Sequence, residues 1–314
     1  MRTSLAVCLI VLLSFTSCSK DDDNPDQSQY AYSDWLNAPK VRITNYAKGI
    51  KGHQSAAVYG DYAVFVTDHR SCIYIYNLKE KKYIGNIKMP YGSGTDYQGY
   101  TLYHSNQSSF GVEKYDEKDY FPLLYISQHA REDRRHFIEV FRIQCERDTE
   151  LNELTAFKVS PVQTIYLPAM TNENALGNTN MAIDTLTHQM YVYSRNNNSG
   201  EENSGICKIS CFDLPDASQQ TVYLNDEDIK SSFYIDSSAA NMQGGCVQDS
   251  ILYIGRGRAG VNYIYLYAVD LRRQAIVAQI DLLKRNHRWE PEGCFFYEGC
   301  VMLSASGGIW KFEK

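Results

Sequence analysis

The chain has 314 residues, 44% of them apolar, which supplies a sizeable core and excludes global disorder. Its formal net charge of −6 argues against a nucleic-acid binder, which needs a basic face. Tyrosine (25 residues) and phenylalanine (12) are abundant, and both favour pleated, half-buried surfaces while offering flat faces for stacking on sugar rings.

The first residues read as an export signal rather than as structure. Arg2 supplies a positive start, and "LAVCLIVLLSF", residues 5–15, is apolar but too short to span a bilayer. A small residue, Cys18 and an abrupt switch to "SKDDDNPDQSQ" resemble a bacterial lipoprotein processing site, with Phe15 and Ser17 replacing the usual Leu and Ala or Gly. The resemblance implies cleavage before Cys18 and lipidation of that residue, so that acyl chains alone would hold the protein to a membrane. Asp21–Asp23 resembles the export signal that carries Bacteroides-group lipoproteins to the outer face of the outer membrane. The expected division is a signal peptide (1–17), a lipidated tether (18–33) and one folded domain (34–314).

Beyond the tether, short alternating strands separated by turns fall into a repeat. "GHQSAAVYGDYAVFVTDHRSCIYIYNLKEKKYIGNIKM" (Gly52 to Met89) parses as four strands, the first two joined by a hairpin turn at Tyr59-Gly60-Asp61-Tyr62. A stretched second unit opens at "YHSNQSSF" and runs through "HFIEVFRIQ" to "SPVQTIYL", with a charged insertion around Glu146 to Glu153. A third opens at "GNTNMAID" and runs through "ICKISCFDL" to "QTVYL". The fourth, Asn241 to Leu282, repeats the grammar of the first. The last, "EPEGCFFYEGCVMLSASGGIWKFEK", stops after three strands, and "KVRITNY" (Lys40 to Tyr46) is available to complete it. The prediction is an all-β fold: a β-propeller of five four-stranded blades closed by an N-terminal strand, which leaves no exposed edge at the ring junction. A two-sheet sandwich is the structural alternative.

The cysteines fit this reading as small hydrophobes. Cys72, Cys246 and Cys294 lie in apolar runs. Cys207 and Cys211 in "GICKISCF" are a candidate metal or disulfide pair, yet on one strand they would sit about 13 Å apart, too far to bridge.

The combination "MQGGCVQDSILYIGRG…YIYLYAVDL" and "EPEGCFFYEGCVML" resembles five-bladed propellers of the teichoic-acid biosynthesis protein C and phage receptor-binding type, over Asn241 to Lys314. The resemblance implies a propeller associated with cell-surface glycopolymers, as a biosynthetic accessory or receptor binder. It carries no catalytic assignment.

Five blade openings are polar where an apolar strand begins: His53 and Gln54, His104 and Asn106, Asn178 and Asn180, Asn241 and Gln243, Glu290 and Glu292. Converging at one channel mouth, such groups suit a sugar or small-molecule site, with Gln54, Asn106, Asn180 and Gln243 as ligand contacts. They equally suit a ring that hydrogen-bonds itself and ordered water. A catalytic variant uses Glu290 and Glu292 as a glycosidase pair, or His53 and His104 as lyase groups with Arg256 or Arg258 gripping a uronate. His53, His104 and Glu292 also form a His and carboxylate donor set for a divalent cation, although no HxH or HExxH spacing supports one and no cofactor is expected. His69, His129, His136 and His188 read as surface or turn residues. The leading expectation is a surface lipoprotein binding a glycan or cell-surface polymer at the channel mouth. The alternatives are a glycan-active lyase or hydrolase at the same place, or a scaffold meeting protein partners through blade edges and the insertions at Asp116 to Asp119 and Asn196 to Asn203.

Overall fold

The computed structural model describes residues 42–48, 53–67, 72–89, 105–128, 136–151, 153–168, 179–195, 206–236, 242–257, 264–305 and 308–313. The predicted signal peptide and tether, Cys18, His104, Asn178, Asn241, Arg258, His69, His129 and the Asn196 to Asn203 insertion lie outside them. Strand β1 (Arg42–Lys48) stands apart from its neighbours in sequence. Next come β2 (His53–Tyr59), β3 (Tyr62–Thr67), β4 (Cys72–Asn77) and β5 (Lys82–Lys88), which pair in that order as blade 1. Blade 2 comprises β6 (Ser105–Phe110), β7 (Leu124–Gln128), β8 (Phe137–Asp148) and β9 (Glu153–Tyr166). Blade 3 comprises β10 (Asn180–Asp184), β11 (Gln189–Arg195), β12 (Ile206–Asp213) and, past the short β13 (Thr221–Tyr223), β14 (Ser231–Asp236). Blade 4 is β15 (Met242–Gln248), β16 (Ile251–Arg256), β17 (Tyr265–Asp270) and β18 (Ala275–Asp281). In blade 5, β19 (Gly293–Tyr297), β20 (Cys300–Ala305) and β21 (Gly308–Glu313) are completed by β1, antiparallel to β21 with Arg42 opposite Glu313. The ring closes as the sequence predicts.

Turn chemistry sets these hairpins. Gly60 takes φ +56°, while Asp249 and Ser250 (+53°, +61°) and Glu298 and Gly299 (+50°, +69°) each place two successive residues at positive φ, as tight hairpin turns require. Where the turn lacks glycine, an acid or amide folds it: Asp270 Oδ1 accepts from the backbone N–H groups of Arg272 and Arg273, and Asn77 Oδ1 from that of Glu80.

The two-residue period of a strand decides which blade each side chain meets. On β3, Val64 and Val66 pack toward blade 2, while Ala63 and Phe65 pack toward blade 5. On β7, Leu124 and Ile126 face blade 1, and Tyr125 faces blade 3. On β16, Leu252 and Ile254 face blade 3, and Ile251 and Tyr253 face blade 5. On β20, Val301 and Leu303 face blade 4, and Met302 faces blade 1. The described core thus resolves into five clusters, one per blade junction, and returns to its start. A sandwich has one shared core between two sheets, so this pattern excludes it. It also explains why second strands such as "YAVFVT" read as unbroken apolar runs: both their faces are buried.

One segment departs from the predicted units. "QTVYL" is not the outer strand of blade 3; β14 is, and β13 instead runs parallel to β9, adding a fifth strand to blade 2. The outer edge of β9 offers backbone groups that need partners, and Thr164 N–H donates to Gln220 O while Leu224 N–H donates to Tyr166 O. Tyr223 stacks on Tyr166 at 4.8 Å, and the Gln163 amide donates to Asp216 O and Gln219 O. The charged insertion at Glu146 to Glu153 is the tip of an elongated β8–β9 hairpin, turned by Asp148 Oδ1 accepting from Glu150 and Leu151 N–H. It leans on blade 1, where Leu154 N–H donates to Tyr62 Oη and Lys82 pairs with Glu153 at 2.7 Å.

Candidate functional site

The inner strands β2, β6, β10, β15 and β19 stand in sequence order around the axis. Each begins at what we call the entry end and finishes at the exit end. At the entry end, side-chain amides pass from one blade to the next. Asn106 Nδ2 donates to Thr179 O at 3.0 Å, Asn180 Nδ2 to Met242 O at 3.1 Å, and Gln243 Nε2 to Glu290 Oε1 at 2.6 Å. Asn106 and Asn180 are buried, and the carbonyls they meet sit just before or at the start of the neighbouring inner strand. Such carbonyls need donors from elsewhere, and the amides supply them. Three predicted ligand contacts therefore act as clasps between blades 2 and 3, 3 and 4, and 4 and 5.

The EPEG segment has a related role. Glu292 N–H donates to Glu290 O at 3.0 Å, closing a tight turn around Pro291 that the fixed proline φ favours. The backbone between the two acids is therefore turned rather than extended. Pro291 is buried against Gly255, where a Cβ would meet Pro291 O at 2.6 Å. Glu292 O accepts from Gly244 N–H at 3.1 Å. Arg256 is 2% exposed on β16, one strand out from the channel, with its guanidinium 5.0 Å from the centroid of the Tyr267 ring. It packs inside the blade as an arginine on an aromatic face. Gln54 is half-buried at the entry end, and His53 is the first residue of β2.

Midway, the channel narrows to contact. Gln107, fully buried, reaches from blade 2 across the axis, and its Nε2 donates to Gly245 O at 2.7 Å. Ser55 Oγ and Ser108 Oγ meet at 2.8 Å between blades 1 and 2. Close approach here demands glycine. A Cβ on Gly244 would strike Gln107 Oε1 and Glu292 O, and one on Gly293 would lie 2.7 Å from Ala56 N. The glycines after Gln243 and Glu292 serve the close approach that the sequence suggests.

Below this plug, at the exit end, the channel widens into an open cavity of about 600 Å³. Its wall is made by the last residues of the inner strands and their turns, including Tyr59 and Asp61 of blade 1, Ser109 of blade 2, Thr185 of blade 3, Gln248 of blade 4 and Glu298 of blade 5. Aromatic and aliphatic surface alternates with hydroxyl, amide and carboxylate groups. Neither lysine nor arginine is among the described lining residues, whereas Asp61 and Glu298 are. Tyr297 Oη donates to Asp61 Oδ1 at 3.0 Å and fixes that carboxylate at the rim. The polar residues predicted as the site stand at the start of each inner strand. The signal for the cavity stood at the other end, in "YGDY", "VQDS" and "YEGC", which also read as turns.

Among the described residues there is no group of three or more His, Cys, Asp or Glu arranged to hold a metal ion. Cys207 and Cys211 are buried thiols on β12, four residues apart along one strand. Within the insertion at Asp116 to Asp119, Asp116 is exposed, while Asp119 is buried and binds Arg142 through two contacts of 2.8 Å.

No protein-family model matches the chain, and no curated protein sequence matches it. Many solved structures match the chain. A glucose dehydrogenase is 13% identical with a TM-score of 0.45, covering 87% of this chain and 99% of its own. Myxococcus xanthus glutaminyl cyclase is 7% identical with a TM-score of 0.46, covering 87% and 95%. A luciferin-regenerating enzyme is 9% identical with a TM-score of 0.46, covering 88% and 96%. The pairing of strands into five separate sheets defines the blades independently of these likenesses.

Proposed function

We propose that the protein is a carbohydrate-binding propeller, held at the cell surface by lipid on Cys18, that takes an uncharged or amino-sugar glycan in its exit-end cavity. The cavity itself carries the reading. Its volume falls within the range of small-ligand sites, and its wall mixes aromatic surface with hydroxyl, amide and carboxylate groups that can hydrogen-bond sugar hydroxyls. Asp61 and Glu298, with no Lys or Arg among the described lining residues, disfavour polyanionic polymers such as uronates or phosphate-linked chains. The entry end supports the reading less, because Asn106, Asn180 and Gln243 already spend amide hydrogens on neighbouring blades.

A glycan array combined with analysis of released products tests this. Retention of neutral glycans without product is the expected result. Products released from a bound glycan would replace the binding role with a lyase or hydrolase, and silence on every glycan would leave the scaffold role. Lipidation has its own test: a palmitate analogue should label the wild-type chain in cells and not Cys18→Ala, and label on the mutant would refute the anchor.

A further inference from the structure

We infer that Cys246 and Cys294 form a thiol–disulfide exchange site in the wall of the exit-end cavity, closing to a disulfide that ties blade 4 to blade 5. The two sulfurs stand 3.6 Å apart although 48 positions separate them in sequence. They come from adjacent inner strands of different sheets, β15 and β19, which are joined two residues upstream of each cysteine by the Gly244 N–H to Glu292 O bond. A disulfide needs the sulfurs at about 2.05 Å, so each side chain must give by less than about 1 Å.

Their exposures differ in the way an exchange pair requires. Cys246 is half-buried and Cys294 is 1% exposed, and both line the cavity. A small disulfide entering from the exit end meets Cys246 first. The Cys246 thiolate attacks one sulfur of R–S–S–R, forming a mixed disulfide and releasing RS⁻. Cys294, once deprotonated, attacks the Cys246 sulfur and expels the second RS⁻. The two protein thiols lose two electrons and two protons, and the oxidant becomes two RSH. Burial, followed by the contact with Cys246, holds the Cys294 thiol well above the usual thiol range, so the second step should speed up with rising pH. The bond would reinforce the junction next to the blade assembled from both chain ends. The inference is independent of the glycan reading.

Oxidised glutathione is the probe. The purified full-length chain is incubated with it under native conditions, then unfolded, alkylated with a maleimide and peptide-mapped. The expected result is a linked Cys246–Cys294 peptide and a thermal midpoint raised by roughly 5 °C, both reversed by dithiothreitol. Cys294→Ser should instead accumulate glutathione on Cys246, a readout that mere packing would not produce. Cys246 and Cys294 both remaining alkylatable after exposure to oxidised glutathione would overturn the inference, as would a Cys294→Ser protein that carries no glutathione at position 246.

Discussion

Glu139 lies near the start of β8, 3% exposed, with the Thr164 hydroxyl 3.2 Å from each carboxyl oxygen. Burial pushes its pKa up to about 8, partly offset by the Thr164 hydrogen bond. The folded state therefore holds this proton more tightly than the unfolded chain, whose carboxyl titrates near 4.5. Stability from this group is greatest below that value and falls as pH rises toward 8. Glu139→Gln should flatten that slope and stabilise the protein at pH 8 by on the order of a few kcal/mol, measured by denaturant unfolding across pH. An unchanged slope would mean the carboxyl is already ionised in the fold. Gly293 offers a steric test at the same scale. A Cβ there would press on the backbone nitrogen of Ala56, which cannot swing away as a side chain can. Gly293→Ala should cost about 1–3 kcal/mol in the same assay, and a neutral result would show that the axis is looser than its contacts imply.

At the scale of elements, hairpin grammar was readable because a strand's period and a turn's residues are local properties. The β2–β3 hairpin around Gly60 and the repeat of blade 4 needed nothing else. The pairing of β1 with β21 was also legible, since a three-stranded last unit leaves one edge to cover. What failed was non-local. "QTVYL" has the composition of an outer strand, but whether β13 or β14 pairs with β12 depends on the exposed edge of β9 in another blade. The contact of Cys246 with Cys294 is equally invisible along the chain. Deleting Lys40 to Tyr46 should lower the thermal midpoint of the whole domain in one cooperative transition, because blade 5 loses most of its outer strand. An unchanged midpoint would deny that β1 closes the ring. Gln163→Ala should be milder, costing about 1–2 kcal/mol by removing the side-chain donor to Gln219 O and to Asp216 O, the latter keeping its bond from Gln219 N–H.

Across the whole molecule, the two ends of one channel differ in construction. The entry end and waist are spent on cohesion through amide clasps, the EPEG turn and the Gln107 plug. The exit end is open and chemically mixed. Gln54, Asn106, Asn180 and Gln243 stand at blade openings, as the repeat predicts, yet whether a polar group binds a ligand or a neighbouring blade depends on the distance between blades, which no single repeat encodes. Blade 5 adds a second titration. His287 is 1% exposed, edge-on to Trp310, and burial lowers its pKa to about 4. Its folded-state pKa lies below the ordinary value of 6.5, so its contribution to stability is full above 6.5 and is lost as pH falls toward 4. The slope opposes that of Glu139 over the shared range.

The division of labour along the channel is open to direct measurement. Binding of a glycan array should be compared for the wild-type chain, for the exit-rim variant Gln248→Ala/Glu298→Gln, and for the entry-end variant Gln54→Ala. Loss of at least tenfold in affinity for the exit-rim variant, with Gln54→Ala unchanged, is the predicted result. Binding that survives at the exit rim and disappears with Gln54→Ala would contradict it.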